Sequence, residues 1–349
     1  MSLVTTSAKF LGKCLGGLVA VVVTCYLLLW VVNWQDEAAS ERALDLKRQL
    51  TLKPVSNNGY QLYTAQLAQL GSAAIPELQQ LFSDCYQAGC QSLIQAETET
   101  LQQLLAQQQQ LLAAYQQWLA TEHWQESPLV NTDLPAYQPL LNGQRLQLLQ
   151  AYLAARQGDS ELAQQLLAAD LQFWRKLLPQ NRYLLSKMIS VAAIEQHFLF
   201  ASAINQSLTD GDRPRPAIWQ QPFSPAELSL ELALAGEWQL SEQLIAKGLS
   251  ESSELKLLQR LGVTLVKPLY QAQASSNERA LLLSCEAGGQ QAVAPWYHWA
   301  YNPVGKILNR ASTVPCAQYL SRLERLEQSR QQLVSAGQVP VSAASLAAD

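Results

Sequence analysis

Residues 15–32 read LGGLVAVVVTCYLLLWVV, a run without a charged side chain that decides how the rest of the chain is organised. As an α-helix at about 1.5 Å per residue, this run would be about 27 Å long. Two further residues bring it to about the 30 Å thickness of a bilayer's hydrocarbon core. Lipid satisfies no backbone hydrogen bonds, so a helix is the conformation open to such a run. The sequence therefore predicts a single membrane-spanning helix over residues 15–34.

The charges on either side of the run predict its orientation. Lys9 and Lys13 precede it, and the first acidic side chains, Asp36 and Glu37, follow it. Positively charged residues favour the cytoplasmic side of a membrane helix. Residues 1–14 are therefore expected to form a short cytoplasmic tail, and the body after the helix is expected to be exported.

Two processing events would remove or replace such an anchor. A signal peptidase needs small residues at its cut, and the best candidate site, residues 37–39, begins with Glu37. A lipoprotein would be cut before Cys25, but Thr24 is a poor residue at that position. Residues 26–32 would then remain as an apolar neck. A retained anchor is the interpretation preferred here.

Composition indicates the class of the body behind the anchor. The chain has 349 residues, enough for an anchor and one large or two medium domains. Its formal net charge is −4, and its longest basic block is Lys47-Arg48. Nucleic-acid binding depends on neutralising phosphates, so this class of function is set aside. Gln, Leu and Ala are abundant and alternating β-branched runs are scarce, which predicts an all-α body.

Four of the six cysteines belong to the exported part of the chain. They are Cys85, Cys90, Cys285 and Cys316. In an oxidising compartment an even set predicts disulfides, and four cysteines allow three pairings. Gly89 gives the first two a turn that closes a local loop, so we predict the pairs Cys85–Cys90 and Cys285–Cys316. A zinc site would need CxxC-like spacing, which neither pair has, and no cofactor is expected.

Glycine, proline and helix-favouring runs divide the body further. Residues 35–54 predict a helical stalk that continues the membrane helix. Residues 55–210 predict a first helical lobe, and 211–225, with four prolines, predict an irregular connection. A second helical lobe is predicted over 226–337, followed by a disordered tail over 338–349.

A long amphipathic helix is predicted over residues 91–123, which contain neither Gly nor Pro. Apolar residues recur there at helical spacing, among them Leu101, Leu105, Leu112 and Leu119. One hypothesis is a coiled coil through which two copies associate, although Gln108 falls on the same seam. The other, which we prefer, is a helix packed against its own domain.

Two segments have the pattern of a helical hairpin. In the first, Gln157-Gly158-Asp159-Ser160 separates two runs with helical periodicity. The second matches it position by position, Gly158 with Gly236, Leu162 with Leu240, and Leu166 with Leu244. Small residues at such a turn let two antiparallel helices approach closely. Both segments therefore predict a pair of packed helices.

These two segments resemble tetratricopeptide-type hairpins. Their separation does not match the repeat period of that family, so the resemblance is confined to the hairpins. It implies an array of helical hairpins, with a peptide-binding groove as the family expectation. The predicted fold is thus all-α, with an N-terminal single transmembrane helix followed by an exported helical-hairpin domain.

A second resemblance concerns the compartment. Phe173-Trp174-Arg175, residues 185–189 and Tyr301-Asn302-Pro303-Val304-Gly305-Lys306 are similar to segments of single-anchor envelope proteins of Gram-negative bacteria. The resemblance implies no activity. It implies a protein of the bacterial inner membrane that crosses it once, with its N-terminus in the cytoplasm and its body in the periplasm.

An aromatic loop is the strongest functional candidate in the body. Its residues are Trp296, Tyr297, His298, Trp299 and Tyr301. Tyr and Trp at this density are typical of recognition surfaces, and a histidine among them can titrate. The alternative is a loop whose rings close the end of the helical core, held in place by Cys285–Cys316. The sequence favours this structural role, and partner binding is the functional hypothesis.

The sequence contains none of the common catalytic motifs that were considered. The sequence has no HExxH helix, no GxSxG elbow and no glycine-rich phosphate loop. Of the three histidines, His123 stands at the end of the helix predicted over 91–123, and His298 stands in the aromatic loop. His197 stands on a helix, where a buried structural role is expected. An enzymatic site, if present, would be built near His298, Tyr297 and Glu286. The sequence thus leans against catalysis.

The preferred function is a membrane-tethered helical interaction protein of the bacterial envelope. Such a scaffold or assembly factor would be held at the inner membrane by residues 15–34 and would bind another envelope protein. The rival is a periplasmic helical enzyme with its site near His298. Self-association through residues 91–123 is a further hypothesis.

Overall fold

The computed structural model describes residues 2–51, 53, 55–70, 74–129, 135–208, 213–250, 257–285, 296–311 and 314–336. These residues contain no strand, apart from one isolated bridge between Asn58 and His123, so the predicted all-α class is confirmed. The α-helices are α1 Ser2–Val32, α2 Glu41–Gln49, α3 Gly59–Leu70, α4 Pro76–Ala88, α5 Gln91–Gln95, α6 Thr98–Gln107, α7 Gln109–Leu119, α8 Gln138–Arg156, α9 Ser160–Leu177, α10 Leu184–Ser207, α11 Pro225–Leu228, α12 Glu231–Ser250, α13 Leu257–Val266, α14 Ala272–Leu282, α15 Pro303–Ala311 and α16 Cys316–Ala336. The predicted tail over 338–349 lies outside the described residues.

Two of these helices are long and apolar enough to cross a membrane. Leu15–Val32, within α1, has none of its residues buried against the protein, whereas 67% of Leu184–Gln206, within α10, is buried. An apolar helix that is exposed all along its length is a candidate membrane span or signal anchor, and one that is mostly buried is a core helix. The structure thus shows the predicted apolar N-terminal helix.

The chain forms two compact units, and each unit draws on two stretches of sequence. Unit 1 comprises Met1–Gln49 and Trp238–Cys316, and unit 2 comprises Leu50–Glu237 and Ala317–Asp349. The division into lobes on either side of 211–225 stays a prediction. Both predicted disulfides are confirmed. Cys85–Cys90 lies in unit 2 and Cys285–Cys316 in unit 1.

The centre of unit 2 is a helical hairpin formed by α8 and α9. Gly158 makes the turn with φ of +81°, a left-handed conformation that glycine adopts without steric cost. Asp159 follows as the N-cap of α9, and its carboxylate accepts a hydrogen bond from Leu162 N at 3.0 Å. The first predicted hairpin is therefore present, with α7 and α10 packed against it.

The second predicted hairpin is not present. Gly236 lies inside the continuous helix α12, not at a turn. A Cβ atom at this position would stand 1.7 Å from the backbone oxygen of Arg182. Gly236 is thus required because it leaves space for the backbone of Arg182, whereas Gly158 is required because it makes a turn. The same local sequence pattern has a different structural role at each site. The tetratricopeptide-like array expected from the sequence is therefore not confirmed, and of the two segments only the first forms a helical hairpin in the described residues.

The predicted long helix over residues 91–123 is divided into α5, α6 and α7. Ala96 and Glu97 are extended, and the carbonyl oxygen of Ala96 accepts a hydrogen bond from Arg156 Nη1 of α8 at 3.1 Å. Gln108 interrupts the helix a second time. The apolar residues Leu101, Leu104, Leu112, Tyr115 and Trp118 are buried within the protein. This burial agrees with packing inside the domain, and self-association through 91–123 stays a prediction.

The segment after α1 is not the uninterrupted helical stalk predicted over 35–54. Residues 33–40 are irregular, and α2 begins only at Glu41. Asp36 accepts hydrogen bonds from the backbone N–H groups of Gln273 and Ala274 at 2.7 and 2.9 Å, which caps the first turn of α14. Since a helix continued through Asp36 would lose this cap, the chain turns aside and joins unit 1.

Asn277 of α14 strengthens the same junction. Its side-chain oxygen accepts a hydrogen bond from Ser40 N at 2.8 Å, and its amide nitrogen donates one to Ala38 O at 2.8 Å. Asn33, buried at the end of α1, donates to Ala300 O at 2.8 Å and accepts from Asn302 N at 2.6 Å. The end of the apolar helix is thus fixed to unit 1 by side-chain to backbone bonds.

Buried Lys187 gives unit 2 a predicted dependence of stability on pH. Its amine donates to Leu178 O at 2.6 Å and Glu227 O at 2.7 Å, two acceptors that match the two N–H bonds of a neutral amine. Burial lowers the pKa of Lys187 from 10.5 to about 7. The unfolded chain therefore binds one more proton than the folded protein between about pH 7 and pH 10.

We expect the free energy of unfolding to rise with pH across this window, by up to about 1.4 kcal/mol per pH unit. Denaturant unfolding between pH 7 and pH 9 measures the slope, below the range in which tyrosines ionise. Lys187→Met should remove most of the slope, whereas Lys247→Met, at an exposed position of α12, should leave it unchanged. Equal slopes in the wild type and Lys187→Met would contradict a neutral Lys187.

Candidate binding cleft

A cleft of about 660 Å³ opens on unit 1 beside the end of α1. Its walls come from the end of α1 and the segment after it, from α14, and from the aromatic loop with the start of α15. The residues that line it are Val32, Glu37, Ala274, Asn277, Glu278, Leu281, Tyr297, His298, Ala300, Tyr301, Asn302 and Lys306. The cleft thus contains three of the five residues predicted for partner binding: Tyr297, His298 and Tyr301.

Asn302 shapes the floor of the cleft. It adopts φ of +50°, a left-handed conformation that asparagine tolerates better than most residues. Its side-chain oxygen accepts hydrogen bonds from the backbone N–H groups of Gln271 at 3.0 Å and Gly305 at 3.2 Å. A Cβ atom on Gly305 would stand 1.9 Å from Ser275 Oγ, so α15 begins in close contact with α14. These bonds set where the aromatic loop ends.

Lys306 holds the aromatic loop from within. Its amine donates to the backbone oxygens of His298, at 2.7 Å, and Tyr301. Burial lowers the pKa of Lys306, and the nearby carboxylates of Glu278 and Glu37 partly offset that effect. The Lys306 side chain, which is 5% exposed, therefore holds the loop backbone in place through its amine.

The described rings of the aromatic loop lie at the surface. Tyr297 is 62% exposed, and Trp299 is 36% exposed with the guanidinium of Arg310 4.2 Å from its ring centroid. His298 is exposed as well, whereas Tyr301 is partly covered and donates a hydrogen bond to Gln35 O at 3.3 Å. The side chain of Trp296 lies outside the described residues. These exposures disagree with a loop that closes the helical core.

Two carboxylates give the cleft an acidic character. Glu37 accepts a hydrogen bond from Asn277 Nδ2 at 3.3 Å, and Glu278 accepts one from Asn309 Nδ2 at 3.0 Å. Since Lys306 is engaged with backbone oxygens, the carboxylates and the rings are the groups that the cleft presents. Such a site suits a ligand with an apolar side chain and a positive charge.

A catalytic arrangement is not apparent around His298. Within the described part of the chain, no side chain forms a hydrogen bond with its ring, so no base and orienting group are paired there. Glu286, the acid expected near it, lies outside the described residues. Nor do the described residues bring together three or more His, Cys, Asp or Glu side chains able to hold a metal ion.

His197 has the structural role expected of it. Its Nδ1 lies 2.8 Å from Asp170 Oδ2, and its Nε2 accepts a hydrogen bond from Trp219 Nε1 at 3.0 Å. Because Trp219 can only donate, the ring proton must be on Nδ1 and directed at Asp170. Tyr115 donates to the other oxygen of Asp170 at 2.6 Å. This fully buried network joins α7, α9, α10 and the 3-10 helix Ala217–Gln220 in unit 2.

Sequence reasoning missed the residues that position the cleft. Asn33, Asn277 and Asn309 were not singled out, although each bonds the backbone of another segment. A signal was available at one place, because Asn302-Pro303 is a pair typical of turns. The rest are ordinary polar residues in helical runs, and only the fold brings them together.

Comparison with known proteins adds no assignment. No family model, no curated protein and no solved structure matches this chain. The cleft must therefore be interpreted from its own geometry.

Proposed function

We propose that the protein is a single-pass membrane protein of the bacterial envelope that holds a protein partner in the cleft of unit 1. The observation that carries this proposal is the exposure of Tyr297 and His298 on a cleft whose wall includes Val32, the last residue of the apolar helix. Exposed aromatic side chains beside a concave surface are typical of binding sites for protein partners.

A retained anchor, with the body in the periplasm, is part of the proposal. Signal-peptide cleavage after residue 39 would remove Asn33 and Asp36, which bond unit 1, and Val32, which lines the cleft. Two disulfides in the body agree with an oxidising compartment, and Cys25, within the apolar run, is a free thiol. The lysines before the run support a cytoplasmic N-terminus.

The position and charge of the cleft indicate the kind of partner. Because Val32 is in its wall, the cleft would stand at the membrane surface, within reach of the segment next to a partner's own membrane helix. Glu37 and Glu278 favour a basic residue in that segment, and Tyr297 and Leu281 favour an apolar neighbour. We therefore propose a basic, membrane-proximal segment of another envelope protein as the ligand.

Photo-crosslinking in intact membranes tests the proposal. A photoreactive residue replaces Leu281, an exposed residue of the cleft, and the covalent adduct is measured with and without Tyr297→Ala. We expect a discrete adduct with one envelope protein that falls about tenfold in Tyr297→Ala, as for a central aromatic contact.

The matched control is Tyr86→Ala. Tyr86 is an exposed tyrosine of unit 2, so its substitution should leave the adduct unchanged.

The charge of the cleft is tested by Glu278→Gln, which should weaken the adduct and reduce its sensitivity to salt. The proposed site would be contradicted if Tyr297→Ala gave the same yield of adduct. It would also be contradicted if the photoreactive residue gave no adduct above the background of the wild-type protein.

A further inference from the structure

Helix α13, Leu257–Val266, is an apolar helix whose described side chains are mostly exposed. It has the sequence LLQRLGVTLV, and nearly all of its described side chains are exposed, including Leu261 at 53% and Leu265 at 57%. An isolated helix of ten residues is marginal in water, and helices in proteins are stabilised by covering their apolar face. Among the described residues, the apolar side chains Leu261, Leu265 and Val266 of α13 stay exposed.

The level of α13 along α1 is fixed by one contact. Tyr26 donates a hydrogen bond from its hydroxyl to Leu265 O at 2.9 Å. From there the chain passes through the 3-10 helix Lys267–Leu269 to Gln271, whose side chain donates to Asn33 O. The C-terminal end of α13 therefore lies within one tyrosine side chain's length of Tyr26 along α1, and the chain reaches Asn33 six residues later.

Tyr26 lies inside the apolar run. It precedes Val32 by six residues, or about 9 Å of helix. The run from Leu15 to Val32 is about 27 Å long, slightly less than the hydrocarbon thickness of about 30 Å, so all of it is needed to span. If α1 crosses the bilayer, the Tyr26 contact and the end of α13 therefore lie below the headgroups.

We propose that α13 is a second membrane contact, an interfacial helix whose Leu261, Leu265 and Val266 are immersed in the outer leaflet. This inference rests on the proposed membrane span of α1. Lipid acyl chains cover the exposed apolar side chains, and the helix lies at the boundary of headgroups and acyl chains, as amphipathic interfacial helices do. Residues 257–270 contain no acidic side chain, and the exposed Lys267 directly after α13 favours anionic headgroups.

Spin-label accessibility of the full chain in vesicles of phosphatidylcholine and phosphatidylglycerol tests the inference. Cys14 and Cys25 are replaced by Ser, the two disulfides are kept, and one cysteine carries a nitroxide. The labelled variants are Leu261→Cys and Leu265→Cys, with Leu28→Cys in α1 as the lipid reference and the exposed Leu162→Cys in α9 as the water reference. All four positions are exposed, so the labels should not disturb the fold.

We expect labels at 261 and 265 to collide with dissolved oxygen more often than with a water-soluble nickel chelate, giving a depth of about 5–10 Å below the headgroups. The ratio of the two collision rates should be at least tenfold above that of the label at 162. A ratio at 261 and 265 equal to that at 162, with the label at 28 in lipid, would overturn the inference and leave the span intact. A label at 28 that behaves as in water would overturn the proposed span and the inference with it.

Discussion

Arg175→Met is expected to lower the free energy of unfolding by about 3–5 kcal/mol, the usual cost of breaking a buried ion pair. Arg175 forms a two-point pair with Glu227, from Nε to Oε1 at 2.6 Å and from Nη2 to Oε2 at 3.0 Å. Its remaining N–H groups donate to Gln221 O and Pro222 O, both at 2.7 Å, and to Ile218 O at 3.5 Å. Methionine keeps an unbranched apolar side chain in place of the arginine stem and removes all of these bonds.

The charge left behind accounts for most of this cost. Burial alone would raise the pKa of the Glu227 carboxyl, but hydrogen bonds from Arg175 and Ser224 bring it below its usual value. Without Arg175, a mostly buried carboxylate remains, together with carbonyl oxygens that have lost their donors. The irregular segment that leads to α11 should then separate from α9.

Denaturant unfolding of the detergent-solubilised chain, followed by circular dichroism, measures this loss. Arg175→Lys should recover only part of it, because an ammonium group cannot make the two-point contact. Arg325→Met is the control, since Arg325 is 55% exposed and 3.9 Å from Glu195, and it should change stability by less than about 1 kcal/mol. Losses of equal size in Arg175→Met and Arg325→Met would contradict the assigned role.

Gly236→Ala should destabilise the protein although alanine is the better helix former. Intrinsic propensity favours Ala over Gly by about 1 kcal/mol inside a helix. The added methyl group, however, would stand 1.7 Å from the carbonyl oxygen of Arg182, which belongs to the backbone and cannot rotate away. Moving α12 off this backbone should cost more than the propensity gain, for a net loss of about 2–3 kcal/mol.

Gly248→Ala is the matched control, because it makes the same exchange in the same helix. A Cβ at Gly248 meets nothing within 4 Å, so propensity acts alone and a gain of up to about 1 kcal/mol is expected. The two variants should therefore change the unfolding midpoint in opposite directions. A gain in both would mean that α12 and the Arg182 backbone are not in contact in solution.

The sequence predicts the helical class, the apolar N-terminal helix, the two disulfides and the first hairpin, because each depends on local pattern or on counting. Gly158 and Gly236 show where that reasoning ends. Both glycines precede a similar run of leucines. Gly158 is needed because its backbone is left-handed, whereas Gly236 is needed because the Arg182 backbone leaves no room for a side chain. Local spacing does not distinguish the two, since the difference lies in a backbone more than fifty residues away.

The candidate cleft was predictable in one part only. The density of aromatic residues identified the loop at Tyr297 to Tyr301, and the structure places its described rings near the surface. The other walls depend on bonds between segments more than two hundred residues apart, such as Asn33 with Asn302 and Asp36 with Ala274. Partner binding, the periplasmic address and self-association stay predictions.

The junction at residues 33–40 has a mechanical consequence. Asn33, Asp36 and Ser40 each bond a different part of the α14 and α15 region, so the chain has no free pivot where it leaves the apolar helix. Membrane helices tilt when the thickness of the bilayer changes. In a chain with a flexible linker that tilt would be absorbed at the linker. If α1 spans a bilayer as proposed, it would act as a lever, and a thinner or thicker bilayer would turn the cleft relative to the membrane plane.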